Sequence, residues 1–274
     1  MNVLIARHGF TPENISFWRF VVGAAVLLAV FGRGILWHQL RPLLMTVIAA
    51  GTAMAGYVLF WFLGIECIGA AIPTLIALCL PPVLVTIIAL VRGQEKLSPQ
   101  LLSILLAALV GTVLIVSRHD TGADTTAQRN LILGVSYAIA SALLYTGFTL
   151  ISGRLSSRLG AGQATTCLTI VAAFVMGLSS LYRPLYWPTG IPPQAWFLYL
   201  GVVTAALALL AFSWGAARLT PTALTVATLV EPLTVVILAA LFLGEQLSAW
   251  QWLGGGLLLM SIWGLGRRLR APNH

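Results

Sequence analysis

Long apolar stretches separated by short polar breaks run from one end of this chain to the other. A helix needs about 20 residues to cross the hydrocarbon core of a bilayer. Stretches of about that length cover residues 14–31, 43–64, 69–91, 99–117, 131–152, 163–182, 195–216, 221–243 and 249–266. Strand-like alternation is missing, because stretches such as LLSILLAALVGTVLIV (101–116) are apolar on every face. The pattern predicts an all-α integral membrane protein.

The composition agrees with a membrane protein. Of 274 residues, 59% are hydrophobic and 8% are charged, and the mean hydropathy is +0.97. A soluble domain of this composition could not cover its surface with polar groups. The longest polar segment is residues 117–130, so we expect the function to lie within the lipid bilayer.

The formal charge of +8 is spread over the loops. Because the basic residues form no patch, the sequence gives no reason to expect a nucleic-acid partner. If the spans alternate, four basic residues lie on one side and ten on the side of the C-terminus, which predicts a cytoplasmic C-terminus. The ten are Arg33, Arg41, Arg92, Lys96, Arg154, Arg158, Arg218, Arg267, Arg268 and Arg270.

The chain contains an internal repeat with an offset of 150 residues. LCLPPVLVTIIALVRGQEKLS (78–98) and ATLVEPLTVVILAALFLGEQLS (227–248) share one design, in which Pro82 matches Pro232 and Glu95 matches Glu245. Ser98 before a proline and Ser248 in a capping box are predicted to begin the helix that follows each block. The sequence therefore predicts two repeats, residues 1–117 and residues 131–270.

The first repeat is shorter than the second. At an offset of 151, ARHGFTPENISFWRF (6–20) lies over SRLGAGQATTCLTIV (157–171). The second repeat has a further span before this segment, so the expected frame has ten helices. We expect this chain to carry nine of them, through a misplaced start or a truncation; a true nine-helix protein is the alternative. Two five-helix units would have opposite orientations, which is typical of secondary transporters.

These features resemble the EamA-type transporters of the drug/metabolite transporter superfamily. The doubled Pro-to-Glu block and ISFWRFVVGAAVLL (15–28) carry the resemblance. It implies an inverted-repeat carrier in the bacterial inner membrane that exports amino acids or similar small metabolites. The chain departs from the family pattern in its absent first helix and in Pro81–Pro82, which stands where the second half has Glu231–Pro232.

Glu231 is predicted to lie near the middle of its span. An acidic residue there costs about 2.5–3.5 kcal/mol on insertion scales, so it usually faces a cavity or a partner. Pro232 removes a backbone hydrogen bond and can open the helix. Thr225 and Thr228 share a face with Glu231, and we predict that the three bind substrate. The alternatives are a protonated glutamate bonded to a neighbouring helix and threonines bonded to their own backbone.

Two further spans carry candidate substrate-binding residues. Tyr137, Ser141 and Tyr145 recur at a spacing of four and form a polar strip that continues through Thr149 and Ser152. Interhelical packing is the alternative for this strip. Tyr57 and Trp61 share a face in an earlier span, where they would line the cavity or pack in the core.

Arg19 lies four or five residues inside its span. Snorkelling to the interface accounts for it without a functional role. The alternative is that Arg19 binds the carboxylate of a zwitterionic substrate while Glu231 binds its amine. Neither charge has a charged counterpart in the other repeat, and this asymmetry favours a site.

The sequence lacks the motifs of an ATP-driven transporter and of an intramembrane enzyme. GxxxxGK[ST], G-x-S-x-G and H-E-x-x-H are absent, and the four histidines are dispersed over loops and tails. We therefore expect a transporter of small molecules with no cofactor and no metal. A noncatalytic membrane subunit or a non-transporting relative is the alternative. Small-residue faces, such as Gly254 to Gly256, would serve intramolecular packing or a homodimer.

Overall fold

The part of the chain that the structure describes is mostly helical, with a non-helical connection at residues 184–192. A computed structural model describes residues 9–69, 71–93, 98–116, 127–182, 184–231, 234 and 249–270. Within these ranges the helices labelled α1 to α9 are, in order, Pro12–Phe31, Leu44–Ile68, Ala71–Val91, Pro99–Val116, Ala127–Leu159, Ala161–Gly177, Pro193–Ala216, Pro221–Thr228 and Ala249–Arg270. The expected all-α fold class is confirmed.

Helices α1 and α4 begin close to their predicted bounds because a capping residue and a proline stand at the start of each. The Thr11 hydroxyl accepts a hydrogen bond from the Asn14 N–H at 3.3 Å, and Pro12 is the first residue of α1. Ser98 caps α4 as predicted, since its Oγ accepts from the Leu101 N–H at 3.2 Å. The matching Ser248 lies outside the described residues.

Helix α5 is longer than predicted, since it runs for 33 residues from Ala127 to Leu159. Its last two turns leave the apolar stretch, but Leu155 and Ser156 are only 1% and 3% exposed. Packing therefore continues beyond the point where hydropathy predicts an end. The helix stops before Gly160, whose φ of +84° suits a residue without a side chain.

Four helical stretches in the described residues are long and apolar enough to cross a bilayer by themselves. They are Pro12–Gly34, Trp37–Ile68, Leu131–Leu159 and Pro193–Ala216. The second includes a short helical turn, Trp37–Leu40, before α2. The fourth is α7, which contains a π-helical segment, Leu200–Leu207, that the hydropathy pattern did not predict. Shorter apolar helices include Ile76–Val91 and Ala161–Gly177.

The described residues belong to two compact units, each of which draws on both halves of the sequence. The first unit comprises Met1–Leu63 and Gly147–Leu219, and the second comprises Gly64–Thr146 and Thr220–His274. Helix α5 therefore contributes its first part to the second unit and its last part to the first.

In the first unit, α1 packs against α6 and α7 through small residues. A Cβ on Gly201 would lie 2.4 Å from the Val22 side chain, and a Cβ on Gly23 would lie 2.7 Å from Ala205. A Cβ on Gly162 would overlap the Phe31 ring at 2.4 Å. Small residues at these positions allow the helix backbones to approach closely, which is the usual source of helix association in lipid.

In the second unit, α9 packs along α4, and α3 packs against both α4 and α8. Gly254 and Gly255 are buried, and a Cβ on Gly264 would lie 3.4 Å from the Ile104 side chain. Gly254, Gly255 and Gly264 thus serve packing within the chain. Gly256 differs, because it is exposed and a Cβ there would meet nothing within 4 Å.

The packing predicts different effects for two glycine-to-alanine changes. Gly201→Ala should lower the free energy of unfolding by about 1–3 kcal/mol, because the new methyl group overlaps Val22. Gly256→Ala is the matched control and should be neutral or stabilising by up to about 1 kcal/mol, because alanine favours a helix. Reversible unfolding of the purified protein in mixed micelles measures both, and equal stabilities of the two variants would contradict this packing.

Candidate functional site

Helix α8 is interrupted just before Glu231. The helix begins after Thr220, whose hydroxyl accepts from the Ala223 N–H at 3.3 Å, and it ends at Thr228. Leu229 forms a turn, and the backbone is helical again at Val230 and Glu231. The interruption falls where Pro232 is expected to act, because a proline has no N–H to donate to the carbonyl four residues earlier.

The Thr228 side chain changes the backbone hydrogen bonding just before the interruption. The Thr228 hydroxyl donates to the Thr225 carbonyl at 2.8 Å. That carbonyl is the usual helical acceptor for the N–H of Leu229, which instead donates to the Val226 carbonyl at 3.1 Å. A side chain thus competes with the backbone ladder and tightens the last turn.

Thr225 and Thr228 show the self-bonding expected of threonines in a membrane helix. The buried Thr225 hydroxyl contacts the carbonyls of Pro221 at 3.1 Å and Thr222 at 3.0 Å. The hydroxyl protons of Thr225 and Thr228 are both donated to backbone carbonyls. Each Oγ can therefore still accept a hydrogen bond through its lone pairs but has no proton left to donate. The side chain of Glu231 is exposed. Its carboxylate and the two threonine Oγ atoms together make residues 225–231 a segment rich in hydrogen-bond acceptors.

The polar strip on α5 lies on the inner side of its helix. Ser141 is 1% exposed, and Tyr137 and Tyr145 are half-buried. The opposite side presents aliphatic residues, with Ile132 64% and Leu143 54% exposed. This distribution is typical of a membrane helix that has its polar side against the protein and its apolar side against lipid. The strip continues inward at Thr149 and Ser152, which are both buried.

Tyr57 and Trp61 lie on α2 in the first unit, and both are half-buried. The Tyr57 ring is 5.8 Å from the ring of Phe148, which stacks on Phe212 at 5.3 Å. Phe148 is 1% exposed, so Tyr57 adjoins an aromatic core. The Trp61 ring is 5.0 Å from Phe62. These contacts support the packing interpretation for Tyr57 and leave the cavity interpretation a prediction.

Arg19 has a protein partner that the sequence did not indicate. Its Nη2 lies 3.4 Å from the Thr204 carbonyl, in the π-helical segment of α7. At the end of that segment the Ala208 N–H donates to the Val203 carbonyl, five residues earlier. Where the chain returns from bonds between residues five apart to bonds between residues four apart, one carbonyl is left without a backbone donor. That carbonyl is the next one in sequence after Val203, which belongs to Thr204. The guanidinium is therefore placed to satisfy it.

The structure distributes the predicted site residues over the two units. Arg19, Tyr57 and Trp61 lie in the first unit. The second unit holds Tyr137, Ser141, Tyr145, Thr225, Thr228 and Glu231. The π-helical segment was missed because its residues are as apolar as their neighbours, and only Gly201 and Thr204 interrupt the pattern.

Comparison with known proteins identifies the family. The model of the EamA-like transporter family matches residues 3–117 and again residues 132–267. The chain belongs to the EamA-like transporter family. The expected resemblance is confirmed, and the protein is a multi-pass membrane transporter by family membership.

A curated relative agrees with this assignment, and a solved structure is similar in fold. The chain is 27% identical over 270 residues to a protein of Bacillus subtilis (strain 168) named "Uncharacterized transporter YwfM", covering 94% of this chain and 85% of the relative. A solved structure titled "Crystal structure of protein" is similar in fold, with a TM-score of 0.76 and 22% identity, over 96% of this chain and 90% of that one. Neither name states a substrate.

The contact between Arg19 and the π-helical segment predicts a specific requirement for arginine. Arg19→Gln should lower the free energy of unfolding by about 1.5–3 kcal/mol, because a hydrogen bond from a charged group is lost. Arg19→Lys is the matched control that keeps the charge. If Arg19 only snorkels, lysine should be as stable as arginine. If it holds the Thr204 carbonyl, lysine should recover only part of the loss, as measured by unfolding in mixed micelles.

Proposed function

We propose that this EamA-family protein is a secondary transporter that exports amino acids or similar small metabolites by alternating access. The proposed location is the bacterial inner membrane, with the C-terminus in the cytoplasm. The observation that carries the proposal is the carboxylate of Glu231 beside an interruption of an apolar helix. Interrupted helices and acidic residues within apolar spans are the features that secondary transporters use for substrate and ion sites.

The acceptor groups near the interruption favour a substrate with a positively charged group. Glu231 offers a carboxylate, and Thr225 and Thr228 offer oxygen lone pairs because their protons are already engaged. The end of α8 adds the partial negative charge of its last carbonyls. A primary ammonium group, such as that of an amino acid, has donors that match these acceptors. Glu231 would bind this group or exchange a proton during transport.

The strip on α5 supports the same proposal. Tyr137, Ser141 and Tyr145 combine hydroxyl groups with aromatic surface on a side of the helix that is turned away from the exposed aliphatic residues. Pockets for small metabolites usually pair apolar walls with a few polar groups in this way. We propose that these residues bind the remainder of the substrate.

The internal repeat supports the proposal of alternating access. The family model matches the chain twice, in ranges close to the proposed repeats of residues 1–117 and 131–270. Two repeats of opposite orientation would exchange conformations as access alternates. Two arginines at the proposed cytoplasmic ends of helices stack on tryptophans, Arg218 on Trp214 at 3.9 Å and Arg267 on Trp263 at 3.7 Å. Such pairs are typical anchors at a membrane surface, and they agree with helix ends that lie at the bilayer interface.

The decisive test of the proposal is Glu231→Gln. Reconstituted in vesicles and screened with amino acids, with and without a pH gradient, the wild type should transport at least one of them. Glu231→Gln should reduce that transport at least about tenfold, because one charged contact contributes at least about 1.4 kcal/mol. The variant should still fold, as judged by its circular dichroism and its elution from a sizing column.

Glu66→Gln provides the matched control. Glu66 is an exposed carboxylate at the end of α2 in the same unit as Glu231, and its change to glutamine removes the same charge. Transport should persist in this variant. Undiminished transport by Glu231→Gln would remove Glu231 from the site, and a folded wild type that moves no small molecule would favour a noncatalytic membrane subunit.

A further inference from the structure

A recess in the first unit lies where α5 ends, α6 begins and α7 ends. Its volume is about 450 Å³, and its walls include Ser156, Gly160, Ala161, Trp214 and Arg218. None of these residues belongs to the proposed transport site. The recess lies at the ends of the spans, on the side that the distribution of basic residues assigns to the cytoplasm.

The start of α6 gives the recess a positive character. Gly160 is the N-cap residue and has no side chain to satisfy the first N–H groups of this 17-residue helix. The backbone bond between the Ala164 N–H and the Gly160 carbonyl belongs to the helix itself. Uncapped N–H groups at a helix start attract anions, because they add to the partial positive charge of the helix dipole.

Ser156 supplies an independent indication of a ligand. Its side chain is 3% exposed, and its Oγ has no hydrogen-bond partner among the described residues. The neighbouring Ser157 hydroxyl donates to the Gly153 carbonyl at 2.9 Å, which is the usual solution for a serine in a helix. A buried hydroxyl without a partner is costly, and Ser156 is one of the residues that line the recess.

Arg218 completes the set of donors. Its guanidinium stacks on the Trp214 ring with a Cζ-to-centroid distance of 3.9 Å, and its Nη1 donates to the Trp214 carbonyl at 2.9 Å. These two contacts fix the plane of the group while other N–H donors stay available. The wall residues within the described chain include no carboxylate. The recess therefore favours an anion over a cation.

We propose that this recess binds a phosphate-bearing anion and that its occupant is the headgroup of an anionic phospholipid. The donor set of a helix start, a serine hydroxyl and a guanidinium matches phosphate oxygens. Trp214 is 57% exposed beside the recess, as expected of a tryptophan in the headgroup region. Basic recesses between helices on the cytoplasmic side commonly bind such headgroups. The proposal stands independently of the transported substrate.

Lipid titration of the intact protein tests the proposal. The protein in neutral detergent is titrated with short-chain phosphatidylglycerol or phosphatidylcholine, and bound lipid is counted by native mass spectrometry while thermal unfolding is followed. Phosphatidylglycerol should bind and raise the unfolding temperature, because a ligand of the folded state stabilises it. Phosphatidylcholine, whose choline cancels the phosphate charge, should have little effect. Equal binding of the two lipids would overturn the proposal.

Variants of two wall residues locate the lipid. Arg218→Gln should weaken phosphatidylglycerol binding at least about tenfold, and Arg218→Lys should restore part of it. Arg41→Gln is the matched control, since it removes one exposed positive charge of the same unit outside the recess. Equal weakening by the Arg218 and Arg41 glutamine variants would indicate a general charge effect and would contradict a site.

Ser156→Ala separates a ligand contact from a structural defect. If the hydroxyl donates to the bound phosphate, the variant should bind phosphatidylglycerol more weakly, although the lipid-free protein should be as stable as the wild type or more stable. Unchanged lipid affinity would remove Ser156 from the proposed site. A final titration with glycerol phosphate distinguishes the source of the phosphate. Saturable, Arg218-dependent binding of glycerol phosphate without phosphatidylglycerol binding would overturn the lipid as occupant and retain the phosphate site.

Discussion

The absence of water around a membrane-spanning helix is the constraint on which this structure depends. Polar groups in that setting have to find partners within the protein. The hydroxyls of Thr86, Thr146 and Thr166 each donate to the carbonyl four residues earlier, at 2.7, 2.8 and 2.7 Å. With those protons engaged, such threonines can lie in apolar helices at little cost. The same constraint makes departures from regular helix informative, and two of them are the interruption before Glu231 and the π-helical segment that Arg19 contacts.

Close approach of helices is the second consequence of the lipid surroundings. Lipid and leucine are equally apolar, so helix association depends on van der Waals contact and on small residues. In the first unit, Gly23 and Gly201 bring α1 and α7 so close that neither position has room for a methyl group. That closeness places the Arg19 guanidinium within reach of the Thr204 carbonyl. The contact of a charged side chain with a π-helical segment therefore depends on glycine packing a turn away.

Hydropathy predicted the helices well where a span is bounded by capping residues, as at Thr11 and Ser98. It could not predict the end of α5, because Leu155 and Ser156 stay buried after the apolar stretch has ended. It also missed the π-helical segment, since hydropathy reports the surroundings of a residue and not the register of its backbone bonds. The polar strip on α5 was predictable from a spacing of four. The partner of Arg19 was not, because it is a backbone carbonyl 185 positions away.

The two repeats offer an internal comparison that bears on the site. The first has Pro81 and Pro82 where the second has Glu231 and Pro232, yet α3 is helical from Ala71 to Val91. A proline is therefore not sufficient to interrupt this helix. The position matching Thr228 is a leucine, Leu78, which has no hydroxyl to compete for a backbone carbonyl. The hydroxyl of Thr228, which donates to the Thr225 carbonyl, is therefore a difference between the repeats that accompanies the interruption before Glu231.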